Sequence, residues 1–236
     1  MDTATRTITL AHSPDADDAF MFYALLHPQA SGLDTGGLRF EHVLAAIETL
    51  NQQALRSTYD VTAISLHAYA YLGDRYRLLR CGSSFGDGYG PVLVAREPRT
   101  VPKLRDGTGQ VAIPGKLTSA YLLLQLFAPG LDTVVIAFDR IPEAVRNAEA
   151  ELGLLIHEGQ LTYAGSGLHA VADLGAGWKE ETGLPVPLGG NAVRRELPAE
   201  VVAQIARLLE ASIRYALEHR REALDYALGF SRGLPR

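Results

Sequence analysis

Short strand-like apolar runs alternate with longer helix-like runs along this 236-residue chain. Residues 7–12 predict a strand and residues 17–26 a helix, and the alternation continues as far as the strand predicted over residues 152–156. Such alternation is typical of an α/β fold, in which helices cover the faces of a sheet. The length and the 47% hydrophobic composition suffice for one large domain or two small ones.

The remaining elements follow the same rules of periodicity and punctuation. Further strands are predicted over residues 38–44, 60–64, 91–96, 110–113 and 133–138. Further helices are predicted over residues 47–56, through 68–71, and over 118–127, 141–150 and 198–228. The last of these is strongly amphipathic, because apolar residues from Val201 to Leu217 recur at helical spacing.

Charge and cysteine content exclude several kinds of function. The formal net charge is -5 and no basic block occurs, which argues against nucleic acid and anionic membrane surfaces as partners. A lone cysteine, Cys81, rules out an internal disulfide and a cysteine-based zinc site. No apolar run is long enough to cross a bilayer and the first residues do not look like a secretory signal, so we expect a cytoplasmic protein.

Three predicted strand-to-helix turns carry a hydroxyl residue where the helix should begin. These turns contain Ser13, Ser65, and Thr118 with Ser119. Each hydroxyl could simply cap its helix, and helix N-termini also bind anions through unpaired N–H groups. The third turn has Gly115 and Lys116 in addition, so capping and binding of a small carboxylate are equally good interpretations there. The aspartates of the first turn, Asp18 among them, lack the spacing of a calcium loop, and we expect no metal.

His157 directly follows the predicted strand over residues 152–156. Ligands of open α/β sheets bind beyond the carboxyl ends of the strands, and a histidine can move a proton near neutral pH. The alternative is a histidine that ends the strand and bonds only to backbone, and position alone does not decide between them.

Eight segments, in one order along nearly the whole chain, make the sequence recognisable: residues 12–25 (HSPDADDAFMFYAL), 48–51 (ETLN), 60–65 (DVTAIS), 115–121 (GKLTSAY), 153–158 (GLLIHE), 162–163 (TY), 173–175 (DLG) and 182–189 (TGLPVPLG). On these segments the chain resembles the 1,4-dihydroxy-6-naphthoate synthases of the futalosine route to menaquinone.

This resemblance implies a two-lobed fold like that of the type II periplasmic binding proteins, each lobe a mixed sheet flanked by helices. We expect residues 1–94 and 190–236 to form one lobe and residues 95–189 the other, with two hinge crossings. The implied reaction is cleavage of cyclic dehypoxanthine futalosine to 1,4-dihydroxy-6-naphthoate, without a cofactor, by a lyase whose general base is His157. The implied substrate-binding residues are Ala63, Ile64, Ser65, Thr118, Ser119 and Ala120, with Asp18 as a candidate orienting group.

Two departures accompany the resemblance. Some members of the family carry lysine where this chain has Ala63, and relatives continue with helical sequence after the position of Arg236. Three alternatives stay open: chorismate dehydratase on the same fold, a solute-binding protein, and an inactive paralogue. The sequence does not indicate an oligomeric state.

Overall fold

A computed structural model describes residues 6–99 and 109–230 of the chain. In chain order the strands are β1 (Arg6–His12), β2 (Leu38–Leu44), β3 (Val61–Ser65), β4 (Tyr76–Leu78), β5 (Ser84–Gly86), β6 (Val92–Ala95), β7 (Val111–Ile113), β8 (Thr133–Val135), β9 (Leu152–Leu155), β10 (His169–Asp173) and β11 (Val186–Arg194). The helices are α1 (Ala16–Leu26), α2 (Pro28–Ser31), α3 (Ile47–Ala54), α4 (Leu66–Tyr69), α5 (Ser119–Phe127), α6 (Ile141–Arg146), α7 (Gly159–Thr162), α8 (Leu174–Thr182), α9 (Ala199–Glu218) and α10 (Arg220–Ala227). None of these helices is both long and apolar enough to cross a membrane.

The chain divides into two compact units, one of Met1–Ser83 with Gly189–Arg236 and the other of Ser84–Leu188. The boundary predicted after residue 94 lies within the second unit instead. The reason is that β6 pairs with β9 on one side and β10 on the other, so it is an inner strand of the second unit's sheet. The other crossing, at 188/189, lies beside the position expected from the sequence.

The first unit is built on a mixed sheet with the strand order β2-β1-β3-β11-β4. β1 runs parallel to β2 and β3, whereas β11 is antiparallel to both β3 and β4. Alternate residues of β1 reach two apolar clusters, since Leu10 packs with α1 and α9 and Ala11 packs with Leu50 of α3. This sheet is therefore covered on both faces, as the two-residue period of a strand requires.

The second unit contains a mixed sheet with the order β10-β6-β9-β7-β8. β7 is parallel to β8 and β9, while β6 is antiparallel to β9 and β10. In β6, Leu93 belongs to one apolar cluster and Val92 and Val94 to another. The continuous apolar runs of β6, β7 and β9 are explained by this burial on both faces. The α/β fold class is confirmed, with a mixed sheet and flanking helices in each unit.

The structure corrects several boundaries. The single helix predicted over residues 198–228 is broken at His219, where α9 ends and α10 begins. No proline or glycine causes the break; α10 packs on α1, and the Tyr23 hydroxyl donates to Glu222 at 2.5 Å. Strand β10 and helix α8 were not predicted, although Asp173 caps α8 by accepting from two backbone N–H groups.

Candidate functional site

His157 lies two residues beyond the end of β9, in a turn and not on the strand itself. Its φ angle is +53°, a left-handed conformation that non-glycine residues seldom adopt, although histidine is among the more tolerant. The Phe138 ring contacts the imidazole edge-on, with ring centres 5.0 Å apart. The following Glu158 is the N-cap residue of α7 and not the next strand residue, so its side chain does not follow the strand alternation expected from the sequence.

The Gln160 side chain hydrogen-bonds to the backbone of this turn. A backbone N–H can only donate and a carbonyl can only accept, and these neighbours assign the orientation of the amide. In that orientation the amide oxygen accepts from the His157 N–H at 3.1 Å and the amide nitrogen donates to the Gly90 carbonyl at 2.6 Å. In addition, the Gln160 N–H donates to the His157 carbonyl at 3.1 Å. Both backbone groups of His157 are thus held by one residue, which compensates for the uncommon φ angle.

The turn before α5 contains one hydroxyl that caps the helix and a second that bonds to a backbone carbonyl of β11. The Thr118 hydroxyl accepts from the Tyr121 N–H at 3.2 Å and donates to the Gly115 carbonyl at 2.8 Å, so it is a helix cap. The Ser119 hydroxyl donates to the Leu188 carbonyl at 2.6 Å. Because both hydroxyl hydrogens serve the protein, an anion at this turn would depend mainly on backbone N–H groups of the first helical turn, such as that of Ala120.

His157 and the Thr118 turn lie at the same edge of the second unit's sheet. β7 leads into the Thr118 turn and β9 leads into His157, and these two strands are parallel neighbours. Their carboxyl ends therefore meet at one edge, the place where open α/β sheets bind ligands. Three predicted substrate-binding residues, Thr118, Ser119 and Ala120, are brought to the edge that holds His157.

The other predicted site residues belong to the first unit. Ala63, Ile64 and Ser65 form the end of β3, and the Ile64 side chain is fully buried in the sheet. Ser65 stands at the N-terminus of α4, yet its side chain makes no capping bond there. Instead the buried Asn51 holds it, with Oδ1 accepting from the Ser65 N–H at 2.9 Å and Nδ2 donating to Oγ at 3.0 Å.

Asp18 belongs to a buried polar cluster at the end of β1. Its carboxylate accepts from the Ser13 N–H at 3.0 Å and lies 3.7 Å from Nδ1 of His12. Nδ1 of His12 donates to the Ser13 carbonyl at 2.6 Å, and Nε2 of His12 hydrogen-bonds to Nε2 of His42. Ser13 is not the helix cap that the sequence suggested, because Asp15 occupies that position of α1.

Burial changes the acid–base behaviour of this cluster. Desolvation, and secondly the neighbouring His42, lower the pKa of His12 to about 4. Desolvation, followed by the charges of Asp17 and Asp15, raises the pKa of Asp18 well above its usual value. A neutral His12 fits its contacts, since an imidazole that donates from Nδ1 can accept from His42 at Nε2. Within the described ranges 6–99 and 109–230, no group of three or more His, Cys, Asp or Glu residues could hold a metal ion.

Acidification should destabilise the fold through His12. Because the pKa of His12 is about 4 in the folded chain and 6.5 in the reference state, the unfolded chain binds the proton more readily. Stability is therefore present above the unfolded pKa and is lost as pH falls through that window, by about 2 kcal/mol between about pH 7.5 and about pH 5. The raised pKa of Asp18 acts in the opposite direction, so the test compares variants. Urea unfolding of His12→Gln should show a smaller acid loss than the wild type.

The exposed His169 supplies the control for this measurement. His169→Gln removes a histidine outside any buried cluster and should keep the acid sensitivity of the wild type. An equal acid loss in wild type and His12→Gln would show that His12 does not carry the effect.

Sequence reasoning did not single out Asn51, His42 or Gln160, although each of them holds a residue of these sites in place. Asn51 and Ser65 are 14 positions apart, His12 and His42 are 30 apart, and Gln160 faces the distant Gly90. For Asn51 the sequence does contain a signal of a buried polar contact, because this polar residue lies on the helix face that otherwise carries Leu50 and Ala54. A buried amide at such a position normally has a partner, but the sequence does not say which.

A family model described as menaquinone biosynthesis matches residues 8–236 of the chain. The chain belongs to the menaquinone biosynthesis family. Two curated relatives of the family are named 1,4-dihydroxy-6-naphtoate synthase. The Thermus thermophilus enzyme is 44% identical over 220 residues, covering 93% of this chain and 78% of the relative. The Streptomyces coelicolor enzyme is 37% identical over 228 residues, covering 94% of this chain and 78% of the relative.

Solved structures confirm the fold. Protein AF1704 from Archaeoglobus fulgidus is 49% identical, with a TM-score of 0.89 over 97% of this chain and 83% of its own. The alkanesulfonate-binding protein SsuA from Xanthomonas axonopodis pv. citri is only 13% identical, with a TM-score of 0.72 over 99% of this chain and 81% of its own. The second match shows a periplasmic-binding-protein fold for this family member and says nothing of its ligand.

Proposed function

We propose that this chain is a lyase that converts cyclic dehypoxanthine futalosine to 1,4-dihydroxy-6-naphthoate, in the cytoplasm, with His157 as the general base. The observation that carries the proposal is the 44% identity, over 93% of the chain, to a curated synthase that is named for this product. Its partner is a small-molecule carboxylate. The net charge of -5 and the lack of a basic block argue against nucleic acid and anionic membrane surfaces as partners.

The placement of His157 supports its role. It follows β9 at the carboxyl edge of the second sheet, and Gln160 holds its backbone at both polar groups. A neutral imidazole there removes a proton from carbon, and the electrons left behind expel the sugar-derived fragment. Formation of the aromatic product ring favours this direction. A positioned base of this kind contributes roughly a hundred- to ten-thousand-fold in rate.

The N-terminus of α5 supports the choice of a carboxylate substrate. Its first turn supplies N–H donors and the positive end of the helix dipole, at the sheet edge that also holds His157. Thr118 keeps this helix end in place, since its hydroxyl bridges the Tyr121 N–H and the Gly115 carbonyl. In this proposal the backbone N–H groups of Ser119 and Ala120 bind the carboxylate.

Incubation of the purified chain with cyclic dehypoxanthine futalosine, followed by mass analysis of products, tests the proposal. We expect 1,4-dihydroxy-6-naphthoate and a released sugar fragment. A parallel incubation with chorismate is the control for the sister reaction on this fold. Dehydration of chorismate, or binding of the first substrate without conversion, would contradict the proposal in favour of the dehydratase or a solute-binding protein respectively.

A further inference from the structure

Asn51 and Ser65 make a two-point contact inside the first unit. Asn51 lies on the face of α3 that packs against β3, and it is fully buried. Its side-chain amide spans both polar groups of Ser65, the backbone N–H at 2.9 Å and the hydroxyl oxygen at 3.0 Å. Ser65 itself is 4% exposed and is the last residue of its strand.

The chemistry of the groups sets the direction of both hydrogen bonds. A backbone N–H can only donate, so the amide oxygen of Asn51 must face the Ser65 N–H. The amide nitrogen then faces Oγ of Ser65 and must donate to it. Oγ is therefore an acceptor toward Asn51, and its own hydrogen is directed elsewhere. Within the part of the chain that the structure describes, this hydroxyl donates to no protein acceptor.

A residue without a side chain lies opposite Ser65 in the first unit's sheet. In the antiparallel pair of β3 and β11, the residue opposite Ser65 is Gly189, which has no side chain. A Cβ added at Gly189 would come within 3.3 Å of the Ile64 carbonyl oxygen, so glycine suits this close approach. The end of β3 consequently carries a hydroxyl donor beside a residue that has no side chain to accept from it.

We propose that Asn51 is a positioning residue, which turns the Ser65 hydroxyl into a hydrogen-bond donor for the carboxylate of the substrate. The assignment rests on the proposed function, because it takes the ligand to be that substrate. A serine hydroxyl without a fixed partner can either donate or accept a hydrogen bond. Because the Ser65 hydroxyl already accepts from Asn51, its O–H group is oriented to donate to the ligand. The role of Asn51 is thus to select an anionic acceptor over a neutral donor at this position.

Asn51→Asp reverses the hydroxyl bond while keeping the shape of the side chain. One carboxylate oxygen still accepts from the Ser65 N–H, and the other now accepts from the hydroxyl, which turns its hydrogen away from the ligand. Losing a donor to a charged acceptor raises KM by roughly ten- to a hundredfold, with a smaller effect on kcat. Ser65→Ala, which removes the hydroxyl and little else, should raise KM by a similar factor.

Steady-state kinetics of the two single variants and the double variant test the assignment, with melting temperatures recorded for each. The double variant should raise KM by clearly less than the product of the single effects, because both changes remove the same donor. Gln52→Glu makes the same amide-to-carboxylate change on the exposed face of α3 and should leave KM unaltered.

The outcomes separate this assignment from the proposed function. No turnover by the wild-type chain would overturn the proposed function and this assignment together. Normal wild-type turnover with unchanged KM in Asn51→Asp or in Ser65→Ala would overturn the role of Asn51 alone. Independent, multiplying effects of the two changes would also overturn it, because they would show that Asn51 does not act through Ser65.

Discussion

His157→Asn should lower kcat by roughly a hundred- to ten-thousand-fold while binding of 1,4-dihydroxy-6-naphthoate persists. Asparagine removes the titratable nitrogen and still tolerates a left-handed backbone, which the φ of +53° at this residue requires. The Gln160 contacts to the backbone of residue 157 do not involve the imidazole and should remain. Single-turnover kinetics and fluorescence titration with product measure the two quantities.

Two further variants test whether the loss of turnover comes from the missing imidazole of His157. His157→Ala should lose turnover to a similar extent, so that the loss is attributed to the missing base and not to the introduced amide. His169→Asn removes an exposed histidine of the same unit and should retain wild-type turnover. Near-normal kcat in both His157 variants would show that another group takes the proton.

Gly175→Ala should produce the largest loss of stability among single-atom additions to the second unit. A Cβ at Gly175 would lie 2.1 Å from the Tyr89 carbonyl oxygen and 2.4 Å from the Gly90 nitrogen. Both are backbone atoms, which cannot move aside as a flexible side chain can. Separation of the segments would also strain the bond from the Leu174 N–H to the Pro91 carbonyl. We expect a loss of about 3 kcal/mol or more in the free energy of unfolding.

Differential scanning calorimetry measures this effect as a fall in Tm of roughly 6–12 °C. Gly165→Ala is the matched control, because a Cβ at Gly165 meets no atom within 4 Å. A Tm for Gly175→Ala that equals the control's would contradict the close approach of the two segments. Gly175→Ala should also disturb the position of His157. The reason is that Gln160, which hydrogen-bonds to the His157 N–H, donates to the carbonyl of the adjacent Gly90.

Local chemistry made several features predictable from the sequence. β2 runs from Leu38 to Leu44, the same bounds as its predicted strand, because its residues form an uninterrupted extended run. Thr118 caps α5 as a threonine before a helical pattern should, and the helix ends at Phe127 as predicted. Such features depend on neighbours within a few positions, so the order of residues is sufficient to define them.

Other features depend on residues that are far apart along the chain. The break at His219 arises where α10 packs on α1, and an unbroken amphipathic pattern contains no sign of it. Likewise, Ser65 occupies a capping position but bonds to Asn51, because α3 packs on the strand that ends there. In both cases a tertiary contact outweighed a weak local preference, as such contacts commonly do.

The sequence alone determined that the chain alternates strands and helices, that hydroxyl residues mark three of the turns, and that His157 follows a buried strand. The tertiary structure decided what those residues do, by pairing β7 with β9, Asn51 with Ser65 and Gln160 with Gly90. The physical reason is that a hydrogen bond has a direction and a partner. Composition and periodicity encode neither, and both are set only when distant segments pack together.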